Sequence, residues 1–91
     1  MNKKQMFQLS LEKWQLPAQI RMVAEEASEL SVASLHMLRA SKEDVYEHFA
    51  EEIADVEFMV EEMKYYFPSL KKDISKYRKI KEERLKEKLE K

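Results

Sequence analysis

The sequence predicts an all-α protein, and three observations carry that reading. The 91 residues include no glycine and only two prolines, so the usual residues of hairpin turns are missing. No stretch sustains an apolar/polar alternation, and no short β-branched run is bounded by turn residues. Charged residues make up 38% of the chain and apolar residues 44%, a mixture that suits amphipathic helices.

Four helical segments are expected. The first covers about Lys3 to Gln15, with Met6, Phe7, Leu9, Leu11 and Trp14 supplying its apolar contacts. Pro17 fits the first turn of the second, where its missing N–H would have no partner anyway, and that helix is expected to reach Arg39. Ser41 followed by Asp44 reads as a capped start for the third, which Pro68 ends near Phe67. Ser69 is expected to cap the fourth, whose last ten residues, rich in lysine and glutamate, are read as prone to fray. With no repeat or linker to divide it, the chain is one domain over residues 1–91. A chain this short removes only about 60% of its surface from water on folding, so an oligomer is expected.

Composition excludes several kinds of chemistry. Without glycine there is no phosphate-cradling loop, which removes P-loop and Rossmann readings. Without cysteine there are no disulfides, zinc-thiolate sites or thiol nucleophiles. The amino terminus carries no apolar run suited to a signal or membrane span, so a cytoplasmic protein without a membrane partner is expected. A net charge of -1 gives no overall field toward a nucleic acid polymer. The charge is nevertheless uneven: Lys71 to Lys91 holds eight lysines and two arginines, while Glu25 to Glu62 is mainly acidic.

The two central helices carry the functional signal. On the second, Ile20, Val23, Ala27 and Leu30 mark one buried stripe. Beside it, Met22, Glu26, Glu29, Ala33 and Met37 set two acids into an apolar row. On the third, Val45, Phe49, Glu52, Val56, Met59, Met63 and Tyr66 follow alternating steps of four and three, which puts Glu52 at a core position. If the turn lies near Ser41, the Glu26/Glu29 pair sits about 20 Å back and the Glu52/Asp55 pair about 19 Å forward along their helices. The two acidic pairs are therefore expected at one height, each with both carboxylates on one helix face.

Carboxylates gathered in a partly dry site repel one another and raise each other's pKa unless a cation compensates. Magnesium takes oxygen ligands and shares its shell with water and phosphate, so an all-carboxylate site favours Mg2+, with Mn2+ as a substitute. Neither His36 nor His48 follows a glutamate by three residues, which removes the usual di-iron pairing. Both histidines are read as ordinary helix-face residues. With fifteen glutamates present, a Glu-x-x-Glu match alone says little, so placement is the stronger signal.

The run Glu25-Glu26-x-x-Glu29, followed after 22 residues by Glu52-x-x-Asp55, resembles the signature of the MazG-like all-α nucleoside triphosphate pyrophosphohydrolase superfamily. The flanking stretches Gln19-Ile20 to Leu30 and Glu51 to Val56 look like small MazG-type enzymes of bacteria and their phages. The resemblance covers about residues 14 to 67 and implies a small four-helix bundle with a central antiparallel hairpin, completed as a homodimer or homotetramer. It implies magnesium ligands at Glu26, Glu29, Glu52 and Asp55, and hydrolysis of a nucleoside triphosphate to monophosphate and pyrophosphate. Glu25 or Glu29 is the carboxylate expected to orient the attacking water. Lys79 and Arg84 resemble a basic element that contacts phosphate in this superfamily, and Trp14 is the side chain expected to stack on the base. Two other readings stay open: a helical interaction module in which the acids fix register, and a nucleotide-binding regulator without turnover.

Overall fold

The computed structural model describes residues 1–39 and 43–91 of the protein. Among them are three helices, α1 (Lys3–Arg39), α2 (Glu43–Tyr66) and α3 (Ser69–Leu89), and no strand. None of these helices is long and apolar enough to cross a membrane.

Helix α1 spans both of the first two expected segments but is broken where their boundary was placed. Gln15 adopts φ 66° and ψ 161°, a combination suited to glycine, and it is the one non-glycine residue with positive φ among those described. The break has a local cause. Pro17 has no N–H to offer the preceding turn, so a continuous helix would lose a bond there, whereas a break at Gln15 leaves Pro17 in the first turn of the second part, where that N–H has no partner to lose. The start of α1 is a reciprocal cap that the sequence reading overlooked. Asn2 Oδ1 accepts from the Gln5 amide at 2.9 Å, and Gln5 Oε1 accepts from the Asn2 amide at 2.8 Å.

The cap expected at Ser41 lies outside the described residues. Helix α2 begins with Glu43 and Asp44 in its first turn, where negative charge complements the helix dipole. The cap expected from Ser69 is not made. Pro68, at φ -56° and ψ -29°, already has helical geometry and occupies the cap position, which puts Ser69 inside the helix. The turn is closed instead by backbone bonds from Leu70 to Phe67 and from Lys71 to Pro68, at 2.9 and 3.3 Å.

The second part of α1 and α2 form an antiparallel hairpin, since Gln19 meets Glu62 while Glu26 meets Glu52 and Asp55. On α2 every residue of the expected row, from Val45 to Tyr66 in steps of four and three, is buried or half-buried. On α1 the inner row is Gln19, Val23, Glu26, Leu30, Ala33 and Met37, which takes members from both expected stripes. Ile20 is 48% exposed, and Met22, Ala27 and Glu29 also face outward. The correction follows from period: two long helices in contact keep a 3.5-residue seam, which crosses the 3.6-residue stripe of a single helix.

Residues 3–14 cross the carboxyl-terminal half of α2 and are held there by one aromatic anchor. Phe7, 4% exposed, packs edge-on against Phe58 at 5.4 Å and lies 5.7 Å from Tyr65. Lys3 adds an exposed ion pair with Glu61 at 2.7 Å, worth at most about 1 kcal/mol. Of the five apolar residues expected to pack from this segment, only Phe7 is buried and Leu11 half-buried, while Met6, Leu9 and Trp14 are exposed. Only one face of a short crossing helix reaches α2. Helix α3 packs lightly against α2, does not touch α1 and has no buried residue.

Glycine at position 15 removes the steric cost of the break, of order 1–3 kcal/mol, against an entropic cost of about 1 kcal/mol. Gln15→Gly is expected to raise the melting temperature by several degrees, as a chain of this size shifts about 4–8 °C per kcal/mol. An unchanged or lowered Tm in a thermal melt would show that the break carries no strain.

Candidate metal centre

The hairpin brings three carboxylates to one point. Oxygens of Glu26, Glu52 and Asp55 all lie within 4.8 Å of one another, near the level that the equal distances from the turn predict. Opposite ligands of an octahedral magnesium stand about 4.2 Å apart, so small side-chain rotations close the cluster on one ion. Asp55 is exposed while Glu52 is only 7% exposed, which leaves one side of the cluster open to water and to a further ligand.

Glu26 Oε2 and Glu52 Oε2 are both buried with no hydrogen-bond partner. Burial raises the pKa of Glu26, and the neighbouring Glu29, Asp55 and Glu52 carboxylates push it further up. Glu52 is raised by burial first and then by Glu29 and Asp55, with His48 opposing. Glu29, the fourth expected ligand, is exposed and stands beside the three. It acts on Glu26 and Glu52 through charge and a shared carboxyl contact.

A second acid in the same seam shows what is missing at the first. Glu62 is 5% exposed, but the Gln19 amide nitrogen, oriented to suit its neighbours, donates to both its oxygens at 3.1 and 3.2 Å. The Tyr66 hydroxyl lies 2.9 Å from Glu62 Oε1 and 2.8 Å from the Phe7 carbonyl oxygen. Burial and the contact with Glu62 raise the Tyr66 pKa. Protein donors thus satisfy Glu62, while none reach the buried Oε2 atoms of Glu26 and Glu52. A hard cation is one group that would supply what those oxygens lack.

Two pockets lie along the hairpin, and only the second is lined by a member of the cluster. One, of about 460 Å³, is lined by Trp14, Gln19, Glu25, Phe58, Met59 and Glu62 among others. It holds the expected base-stacking residue, 55% exposed, together with Glu25 from the expected catalytic pair. The Trp14 ring also carries Lys13 Nζ at 5.1 Å from its centroid. The other pocket, also about 460 Å³, is lined by Ser28, Glu29, Val32, His48 and Glu52.

Lys79 and Arg84 are exposed on α3, which makes no contact with α1, and neither lines a pocket with the cluster. Their neighbour Arg78 faces α2, across a groove with Glu57, Glu61 and Lys64. The sequence reading missed Gln19, Glu62 and His48. Each had a visible signal: Gln19 is seven residues before Glu26, Glu62 seven after Asp55, and His48 four before Glu52, all same-face spacings.

Compared with models of known protein families, with curated proteins and with solved structures, the chain finds no match.

The raised carboxyl pKa values make the folded chain favour protonation more than the unfolded chain does. Their contribution to stability is complete below the ordinary value of 4.5 and is lost as pH rises through the raised folded-state values. In chelator, Glu52→Gln is therefore expected to melt above the wild type at neutral pH, with the difference vanishing below pH 4.5. Melts across that range check this, and a variant less stable than wild type at neutral pH would contradict the assigned charge penalty.

Proposed function

We propose that the chain is a magnesium-dependent nucleoside triphosphate pyrophosphohydrolase of the MazG-like kind, releasing nucleoside monophosphate and pyrophosphate. The observation that carries this reading is the pair of buried, partnerless carboxylate oxygens at Glu26 and Glu52, beside Asp55, within one helix seam. Glu26, Glu52 and Asp55 would hold the cation, with Glu29 at its edge. When bound, magnesium neutralises phosphate charge and lowers the pKa of a water.

The flanking residues suit the remaining tasks. Glu25, on the wall of the pocket that holds Trp14, accepts a proton from the attacking water or orients it. Trp14 offers an exposed indole face for a base, and Phe58 and Met59 give that pocket an apolar floor. Lys79 and Arg84 serve phosphate from a neighbouring chain, because α3 stands apart from α1 in its own chain.

A homodimer or homotetramer completes the protein. A compact 11.0 kDa monomer exposes about 5,600 Å², whereas this chain exposes 7680 Å². The difference exceeds the roughly 800 Å² that each partner buries in a standard interface. Its radius of gyration is 16.3 Å, against about 12 Å for a compact domain of this length. The outward row Ile20, Ala24, Ala27, Ser31, Leu35 and Leu38 on α1 repeats in steps of four and three and is made of small and apolar residues, as a second helix requires.

The pure protein is expected to convert at least one ribo- or deoxyribonucleoside triphosphate to monophosphate and pyrophosphate with magnesium and not with chelator. Glu52→Gln is expected to lower turnover by a hundredfold or more, on the order of a lost catalytic group, with helical content retained. Release of diphosphate and phosphate, or full activity in the variant, counts against the reading. In light scattering the wild type is expected at a multiple of 11.0 kDa, and Leu35→Glu is expected to shift it toward one chain. A monomeric wild type would remove the assembly proposal.

A further inference from the structure

We propose that His48 is a nitrogen ligand of a second cation position, next to the all-oxygen cluster and sharing Glu52 with it. The inference rests on the metal-site reading above and extends it to a residue and a nitrogen donor which that reading does not include.

Three observations support it. His48 and Glu52 lie one turn apart on α2, and His48 Nε2 stands 3.9 Å from Glu52 Oε1. That is too long for a hydrogen bond. It falls within the roughly 3–4 Å that separates two ligands of one ion when each bond is about 2.1 Å. Secondly, His48 and Glu52 share an open pocket with Glu29, whose carboxylate comes from α1 and faces the same space. The pocket thus gathers one imidazole and two carboxylates from two helices. Finally, Glu52 is more than nine-tenths buried, and its Oε2 has no protein partner. A carboxylate so placed, between His48 on one side and Glu26 and Asp55 on the other, is positioned to bridge two ions.

Donor chemistry sets the metal class. The cluster of Glu26, Glu52 and Asp55 offers oxygen alone, which suits magnesium. An imidazole beside two carboxylates suits borderline first-row ions such as manganese, cobalt or zinc. The ordinary alternative is an exposed (i, i+4) histidine–glutamate pair, which needs no metal. That alternative predicts no nitrogen at a bound ion.

The test loads the intact protein with manganese(II) alone and looks for nitrogen hyperfine coupling by electron spin echo spectroscopy, beside a manganese titration. The wild type is expected to show coupling from one imidazole. His48→Gln is expected to lose it, to bind one fewer manganese per chain and to bind zinc about tenfold or more weakly. His36→Gln, which removes the other histidine, is expected to keep the coupling, and circular dichroism checks that both variants are folded. Manganese that binds in the wild type and is lost in Glu52→Gln, but shows no nitrogen coupling, overturns the His48 assignment and leaves the oxygen cluster standing. Coupling that survives His48→Gln overturns it as well. A wild type that binds no manganese overturns both readings.

Discussion

Two buried carboxylate oxygens without a donor are the constraint around which this small protein is arranged. Glu26 and Glu52 occupy inner positions of the same helix pair, where an apolar residue would pack without penalty. Their cost is visible in pKa values raised first by burial and then by neighbouring acids. A helix seam tolerates such a charge when something positive neutralises it, and among the described residues no lysine, arginine or backbone N–H reaches the buried Oε2 atoms. The proposed divalent ion is the simplest group to match both the charge and the oxygen-only donor set.

The same seam contains its own control. About three turns along α2, Glu62 is as deeply buried as Glu52 but is bonded by Gln19 and Tyr66, so it acts as a structural acid. Tyr66 also reaches the Phe7 carbonyl, and Phe7 packs on Phe58, which ties residues 3–14 to the far end of the hairpin. Packing at that end positions Trp14 over the pocket beside Glu25. Structure at one level of the hairpin thereby shapes the pocket next to the chemical site at the other.

The core of the single chain is thin. Among the described residues Phe7, Ala33 and Met59 are the buried apolar ones, and no large side chain is fully enclosed. Stability in so small a chain depends on covering more apolar surface than the hairpin covers by itself. Helix α3 does little of this, since Tyr77, Leu85 and Leu89 remain exposed and Leu70, Ile74 and Ile80 are only half-buried. The proposed assembly and the proposed cation would act on the same deficit from two sides, one by covering apolar surface and the other by cancelling buried charge.

The sequence by itself determined the helical class, the end of α1 near Arg39, the end of α2 and the inner row of α2. Those features are local or periodic: proline interrupts a helix anywhere beyond its first turn, and a strict step of four and three keeps one face inward. Equal distances from the turn also brought Glu26, Glu52 and Asp55 to one level, because helical rise is fixed. What only the tertiary structure decided was which of two adjacent rows of α1 faces inward. That choice depends on how the two helices wrap, and it moved Ile20 outward and Gln19 inward. It also decided which buried acids find donors. Glu62 and Glu52 are the same residue type on the same helix, and their neighbours separate a satisfied acid from an unsatisfied one: Gln19 and Tyr66 donate to Glu62, whereas Glu52 faces Glu26.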